Sequence, residues 1–226
     1  MSARVEVDLE ALADNLRAIR DRVAPAAHML VVKDDAYGHG LVPVVRRARA
    51  EGVGWLGAFD VETGIAVRAE TADARIFSWL IASRAEAAAG IEAGLDLGVG
   101  DAELLEDVAD AAATAGRPAQ VHLKIDTGLH RNGIRPERWP QVVARAAELE
   151  RRGLISVVGI WSHIGEASDA DDDASRAVFD AAVADAHAAG LRPRVRHLSA
   201  SAASFARPEF RYDLTRVGAF AYGIRS

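Results

Sequence analysis

One feature constrains the fold of this chain more than any other. Short apolar, β-rich runs alternate with Ala-, Glu- and Arg-rich stretches of helical periodicity from one end to the other. Taken in order, strands are expected near Met29–Val32, Trp55–Ala58, Arg75–Ser78, Leu95–Val99, Gln120–Lys124, Val157–Trp161, Val195–Leu198 and Val217–Phe220. Such alternation predicts parallel strands joined by helical crossovers, and this strand count is the one a (β/α)8 barrel of the TIM type requires. The intervening helices are amphipathic: in Leu41–Glu51, Leu41, Val44, Val45 and Ala48 share a face opposite Arg46, Arg47 and Arg49. Asp8 and Asp101 are expected to cap the helices that follow them, and Gly94 and Gly116 suit helix ends.

The order of elements is unusual for a barrel. A helix over Leu9–Val23 precedes the first strand, and little chain follows the last. The first helix is therefore expected to fill the place of the helix missing after the eighth strand. With no repeat and no Gly/Ser- or Pro-rich linker, residues 1–226 read as a single domain.

Composition narrows the function. There is no cysteine, so neither a disulfide scaffold nor a thiolate metal site can form, and a reducing compartment fits. The N-terminal Met1–Asp8 lacks the apolar core of a signal peptide, and no stretch has the length of a membrane span, so the cytoplasm is the expected location. Net charge is −6 with no basic blocks, which argues against nucleic acid as a partner. The acidic run Asp169–Asp173 reads as the solvated start of a helix, because adjacent carboxylates seldom converge on one metal ion.

The strongest local signal is Val31-Val32-Lys33-Asp34-Asp35-Ala36-Tyr37-Gly38-His39-Gly40, where a lysine at the end of a predicted strand runs into a Gly-rich turn. In an α/β barrel the chemistry sits at the C-terminal ends of the strands, and a partly desolvated lysine there is poised to attack a carbonyl. The residues alone leave a salt-bridged structural Lys33 and a catalytic one equally open. The decapeptide, however, closely resembles the cofactor-lysine motif of alanine racemases, pyridoxal 5'-phosphate enzymes whose lysine is followed, two residues on, by Ala-Tyr-Gly-His-Gly. On that resemblance Lys33 is the lysine that binds the cofactor covalently, and Tyr37 adds its hydroxyl to the phosphate site.

Further segments resemble the same family in the same order. Val121–Gly133 is similar to the segment whose arginine, here Arg131, bonds the cofactor's phenolic oxygen. Lys124 within it matches a lysine that is carbamylated in some members, an ordinary ion-paired lysine being the other reading. His163, in Val158–Gly165, matches a histidine near the pyridine ring, where it would orient an arginine; a lone histidine at a strand end can equally be a satisfied core residue. His197–Ala203 and Arg216–Gly223 look like the last two strand ends, with Ser201 and the Gly218 and Ala219 amides holding phosphate, as barrels commonly do there. Arg216 matches the arginine that faces the pyridine nitrogen. Since an arginine scarcely gives up a proton, it implies an unprotonated ring, a weaker electron sink and fewer side reactions. Departures from the family pattern fall at Asp34, Asp35, His130, Ala200 and Val217.

The resemblance implies racemisation between L- and D-alanine for cell-wall precursors by a homodimer. It covers only the barrel: the family's C-terminal β domain, which supplies a tyrosine to the partner subunit as second acid/base, is absent from these residues. This chain is thus expected to be a piece of a longer protein, and Tyr212 and Tyr222, both beside predicted core segments, are expected to pack and not to replace that tyrosine. The alternative is a free-standing single-barrel protein that binds pyridoxal phosphate without racemising anything.

Overall fold

The computed structural model describes residues 6–198 and 201–224. The readings placed above on Met1–Val5 and on Ala200 lie outside them. Eight parallel strands form one sheet in the order β7-β6-β5-β4-β3-β2-β1-β8. They are β1 (Ala27–Val31), β2 (Trp55–Asp60), β3 (Arg75–Leu80), β4 (Asp96–Val99), β5 (Ala119–Lys124), β6 (Ile155–Trp161), β7 (Val195–His197) and β8 (Leu214–Val217). Helices α1 (Leu9–Val23), α2 (Lys33–Gly38), α3 (Leu41–Ala50), α4 (Val61–Glu70), α5 (Arg84–Glu92), α6 (Ala102–Ala115), α7 (Trp139–Arg151), α8 (Asp169–Ala188) and α9 (Ser201–Ala206) alternate with them. The barrel is nearly closed. At the β7/β8 seam Asp213 N donates to Arg196 O at 3.2 Å, and the Asp213 carboxylate accepts from Arg196 N and Nε, both at 2.8 Å.

The capping residues behave as their chemistry dictates. Asp8 accepts from Glu10 N and Ala11 N, Asp101 accepts from Leu104 N, and Gly116 ends α6 in the left-handed region. Helix α1 turns Leu12, Leu16, Ile19 and Val23 inward against β1, α3 and α9. Asn15 Nδ2 also donates at 3.1 Å to the Ala221 carbonyl beyond β8, so α1 occupies the gap that a helix after β8 would fill. The acidic run opens α8, with Ser168 as its cap.

One strand sits three residues earlier than expected. The apolar run Val217–Phe220 reads as a strand, yet β8 is Leu214–Val217 and a 3-10 helix, Ala219–Tyr222, begins after Gly218. Pairing decides it: Leu214–Val217 is the segment in register with Ala27–Leu30 of β1, and Gly218 leaves the extended region at φ −113, ψ −97. The other strands differ from expectation by up to two residues at an end.

Two cores result from strand alternation. Residues facing the helices form the large outer core, while Met29, Phe77, Trp161 and Leu214, with Trp55 and Trp79 against them, fill the barrel interior.

Candidate functional site at the C-terminal mouth of the barrel

Lys33 leaves the end of β1 and begins α2, an element of unusual backbone. Asp34, Asp35, Ala36 and Tyr37 all lie near φ +54, in the left-handed region. Each residue there costs about 1–2 kcal/mol, least for aspartate. The turn is held by Ala36 N to Val32 O at 3.0 Å, Gly40 N to Asp35 O at 3.0 Å, and Leu41 N to Asp35 Oδ1 at 2.7 Å. Its effect is to bring Lys33 and Tyr37 to one side, with Nζ 5.5 Å from the Tyr37 ring centre. Among the described residues the only ion-pair partner of Lys33 is the exposed Asp34, at 3.6 Å, a pair worth little in water.

Tyr37 leans over the end of β8. Its hydroxyl lies so close to Gly218 that a Cβ there would collide with it. Burial raises the Tyr37 pKa, so the phenol stays protonated and able to donate. Behind it, 5.0 Å away, the Tyr222 ring donates its hydroxyl to Val31 O at 2.9 Å. Gly218 and Ala219 head the 3-10 helix, where backbone N–H groups have no acceptor within the helix. Ser201 heads α9, and the two short helices meet through Phe205 and Phe220, whose rings are 5.3 Å apart.

Arg216 projects from β8 into the barrel and is buried without a carboxylate partner among the described residues. Its charge is dispersed instead over acceptors: Nη2 donates to Ser162 O (2.7 Å) and Leu198 O (3.0 Å), and Nη1 to His197 Nδ1 (2.9 Å) and His197 O (3.1 Å). His163 Nδ1 lies 3.3 Å from Nη2. Burial, then repulsion from Arg131, pull the Arg216 pKa down to about 9. Burial, then the charges of Arg216, Arg131, Lys124 and Lys33, hold His163 at about 3, so it is a neutral imidazole at physiological pH.

Lys124 ends β5 beneath this group. It is buried, its Nζ 4.5 Å from the Trp161 ring centre, and makes no ion pair within 4 Å among the described residues, although the Asp126 charge acts on it. Burial, then the charges of Arg216 and Arg131, lower its pKa to about 8. Arg131 is exposed in the loop after β5, where His130 takes φ +54 and its Nδ1 meets Asp126 Oδ2 at 2.9 Å. Lys33 and Lys124 are the only lysines of the sequence, and both serve this end of the barrel.

Over residues 7–226 the chain matches the family profile described as alanine racemase, N-terminal domain. The chain belongs to that family. It is 41% identical over 225 residues to the alanine racemase of Thermobifida fusca, covering 98% of this chain and 60% of that protein. Among solved structures, the alanine racemase of Streptomyces coelicolor superposes with a TM-score of 0.94 at 40% identity, covering 97% of this chain and 59% of its own. That of a D-cycloserine-producing Streptomyces lavendulae gives 0.94 at 37%, covering 97% and 58%. The barrel therefore spans about three-fifths of the racemases it matches.

Tyr212 and Tyr222 do not open onto the site as free phenols. Tyr212 donates to Asp180 at 2.7 Å on α8, and Tyr222 is committed to Val31. What sequence reasoning missed is the interior behind Arg216. His197 Nε2 lies 2.8 Å from His122 Nδ1, His122 Nε2 lies 3.4 Å from Asp96 Oδ2, and Asp96 is gripped by Arg75 through Nε at 2.9 Å and Nη2 at 2.7 Å. The signal was present in β5, where Gln120, His122 and Lys124 alternate with apolar residues. In a closed barrel the polar face of such a strand points inward.

Proposed function

We propose that this barrel binds pyridoxal 5'-phosphate on Lys33 and forms the cofactor half of an alanine racemase acting between L- and D-alanine. The observation that carries the reading is Arg216: a buried guanidinium with both Nη groups saturated by protein acceptors and an Nε–H that has no protein acceptor among the described residues. A lone donor facing an otherwise satisfied pocket suits a neutral aromatic nitrogen. The cradle of Tyr37 over Gly218, with the Gly218 and Ala219 amides and Ser201 beside it, suits a phosphate. When bound, the cofactor supplies an electron-withdrawing ring that acidifies the Cα–H of an amino acid joined to it.

The residues have separable tasks on this reading. Lys33 anchors the cofactor and then holds or returns the proton at Cα on its own face. Arg131 takes the phenolic oxygen, Tyr37 and Ser201 the phosphate, and Arg216 the ring nitrogen. His163, neutral and with Nδ1 toward Arg216, orients that arginine and passes no proton to or from the substrate. The Lys124 pKa of about 8 gives it a larger share of free amine than an ordinary lysine, and the free amine can add carbon dioxide and lose a proton to become a carbamate that would pair with Arg131.

Inversion requires an acid/base on the opposite face, and both late tyrosines are already bonded elsewhere. That base is assigned to the remainder of the racemase or its partner subunit. The same observation favours the second reading, a barrel that binds cofactor without racemising. Incubating the chain with pyridoxal phosphate and each enantiomer of alanine in turn in deuterated water separates them. The half-site account predicts exchange of the α-hydrogen that Lys33→Ala abolishes, with inversion only when the missing half is supplied. Cofactor uptake without any exchange would establish the binding module.

A further inference from the structure

The polar chain behind Arg216 has a direction. An arginine possesses only donors, so His197 Nδ1, 2.9 Å from Nη1, must accept. A neutral His197 then carries its proton on Nε2 and donates to His122 Nδ1 at 2.8 Å. His122 in turn carries its proton on Nε2, which makes no hydrogen bond among the described residues and lies 3.4 Å from Asp96 Oδ2, so that the carboxylate acts on it as a nearby charge. Arg75 keeps that carboxylate ionised at the opposite rim, where β3 and β4 begin. The reverse order would set an N–H of His197 against an N–H of Arg216, and an imidazolium at His197 would meet the same conflict.

The surrounding residues are shaped to this chain. Trp161 stacks on His197 with rings 5.7 Å apart and 8° from parallel, Phe77 lies 4.8 Å from His122, and a side chain at Gly159 would occupy the His122 ring's position. Nothing in binding a phosphate or a lysine adduct requires a buried carboxylate at the far end of the barrel. We infer that Asp96 is a positioning residue for Arg216: through His122 and His197 it fixes both imidazoles as Nε2–H tautomers, which holds the guanidinium with its Nε–H aimed at the ligand. The inference rests on the proposed function only for what that ligand is.

The test needs no cofactor for its first arm. Nitrogen-15 imidazole spectra of the wild-type chain are expected to show His122 and His197 protonated on Nε2 alone. In Asp96→Leu, which removes the acceptor while keeping the branched shape, His197 Nδ1 is expected to become partly protonated, and affinity for pyridoxal phosphate to fall about tenfold or more. Asp96→Glu is expected to restore both. If Asp96→Leu does not fold, Asp96→Asn and the wild-type spectra decide. An Nδ1–H on either wild-type ring, or a variant whose Tm falls while the His197 tautomer and cofactor affinity stay unchanged, overturns the inference. A wild-type chain with the expected tautomers that binds no pyridoxal phosphate would instead sink the proposed function.

Discussion

At the scale of single residues, the pocket is defined by close approach and by suppressed charge. Gly218 is where the Tyr37 hydroxyl meets the backbone, so Gly218→Ala must push the phenol away. The expected outcome is a loss of pyridoxal phosphate affinity of about tenfold or more, equivalent to ~1.4 kcal/mol, in an absorbance titration. Lys124 makes a prediction about pH. Its folded pKa of about 8 lies below the ordinary 10.5, so between those values the unfolded chain binds more protons and stability rises with pH. Below about 8 both states are protonated and the whole cost of up to about 3 kcal/mol is present. Lys124→Met is therefore expected to be more stable than the parent at neutral pH, with the advantage vanishing near pH 10.5 in urea titrations. An advantage independent of pH would contradict this origin.

Among elements, the left-handed turn α2 and the strand β8 show what sequence can and cannot carry. The turn was legible as a Gly-rich break after a strand, but its hand was not. Four successive non-glycine residues near φ +54 contradict local propensity, and the Asp35 side chain, through its bond to Leu41 N, contributes a local compensation beside the backbone bonds of the turn. Asp35→Ala is expected to lower stability by about 1–2 kcal/mol and to weaken cofactor binding, while Asp35→Asn retains most of both, as read from urea midpoints and titrations. For β8 the more apolar run Val217–Phe220 predicts a strand three residues late, whereas the true strand carries Arg216 inward. Parity along a strand is visible in sequence; which side of it is solvent is not. For the same reason nothing in the alternation of Asp96, His122 and His197 with Leu97, Leu123 and Leu198 marks the polar residues as the interior face.

For the molecule as a whole, the eightfold alternation sufficed to give a barrel, and the leading helix α1 closes the gap after β8 because its apolar face has nowhere else to go. Leu16, fully buried at that closure, is expected to cost about 2–5 kcal/mol on replacement by alanine, measured by chemical unfolding. On the proposed function, catalysis needs a larger assembly than this barrel but anchoring the cofactor does not, since Lys33, Tyr37, Ser201, Arg216 and Gly218 all come from one end of the barrel. The sequence holds only two lysines, both at the mouth, so chemical trapping has few alternatives. The decisive measurement is to add pyridoxal phosphate, reduce with borohydride and map the modified residue by mass spectrometry. The label is predicted on Lys33, with none in Lys33→Ala; a label on Lys124, or none in the wild-type chain, would contradict the account.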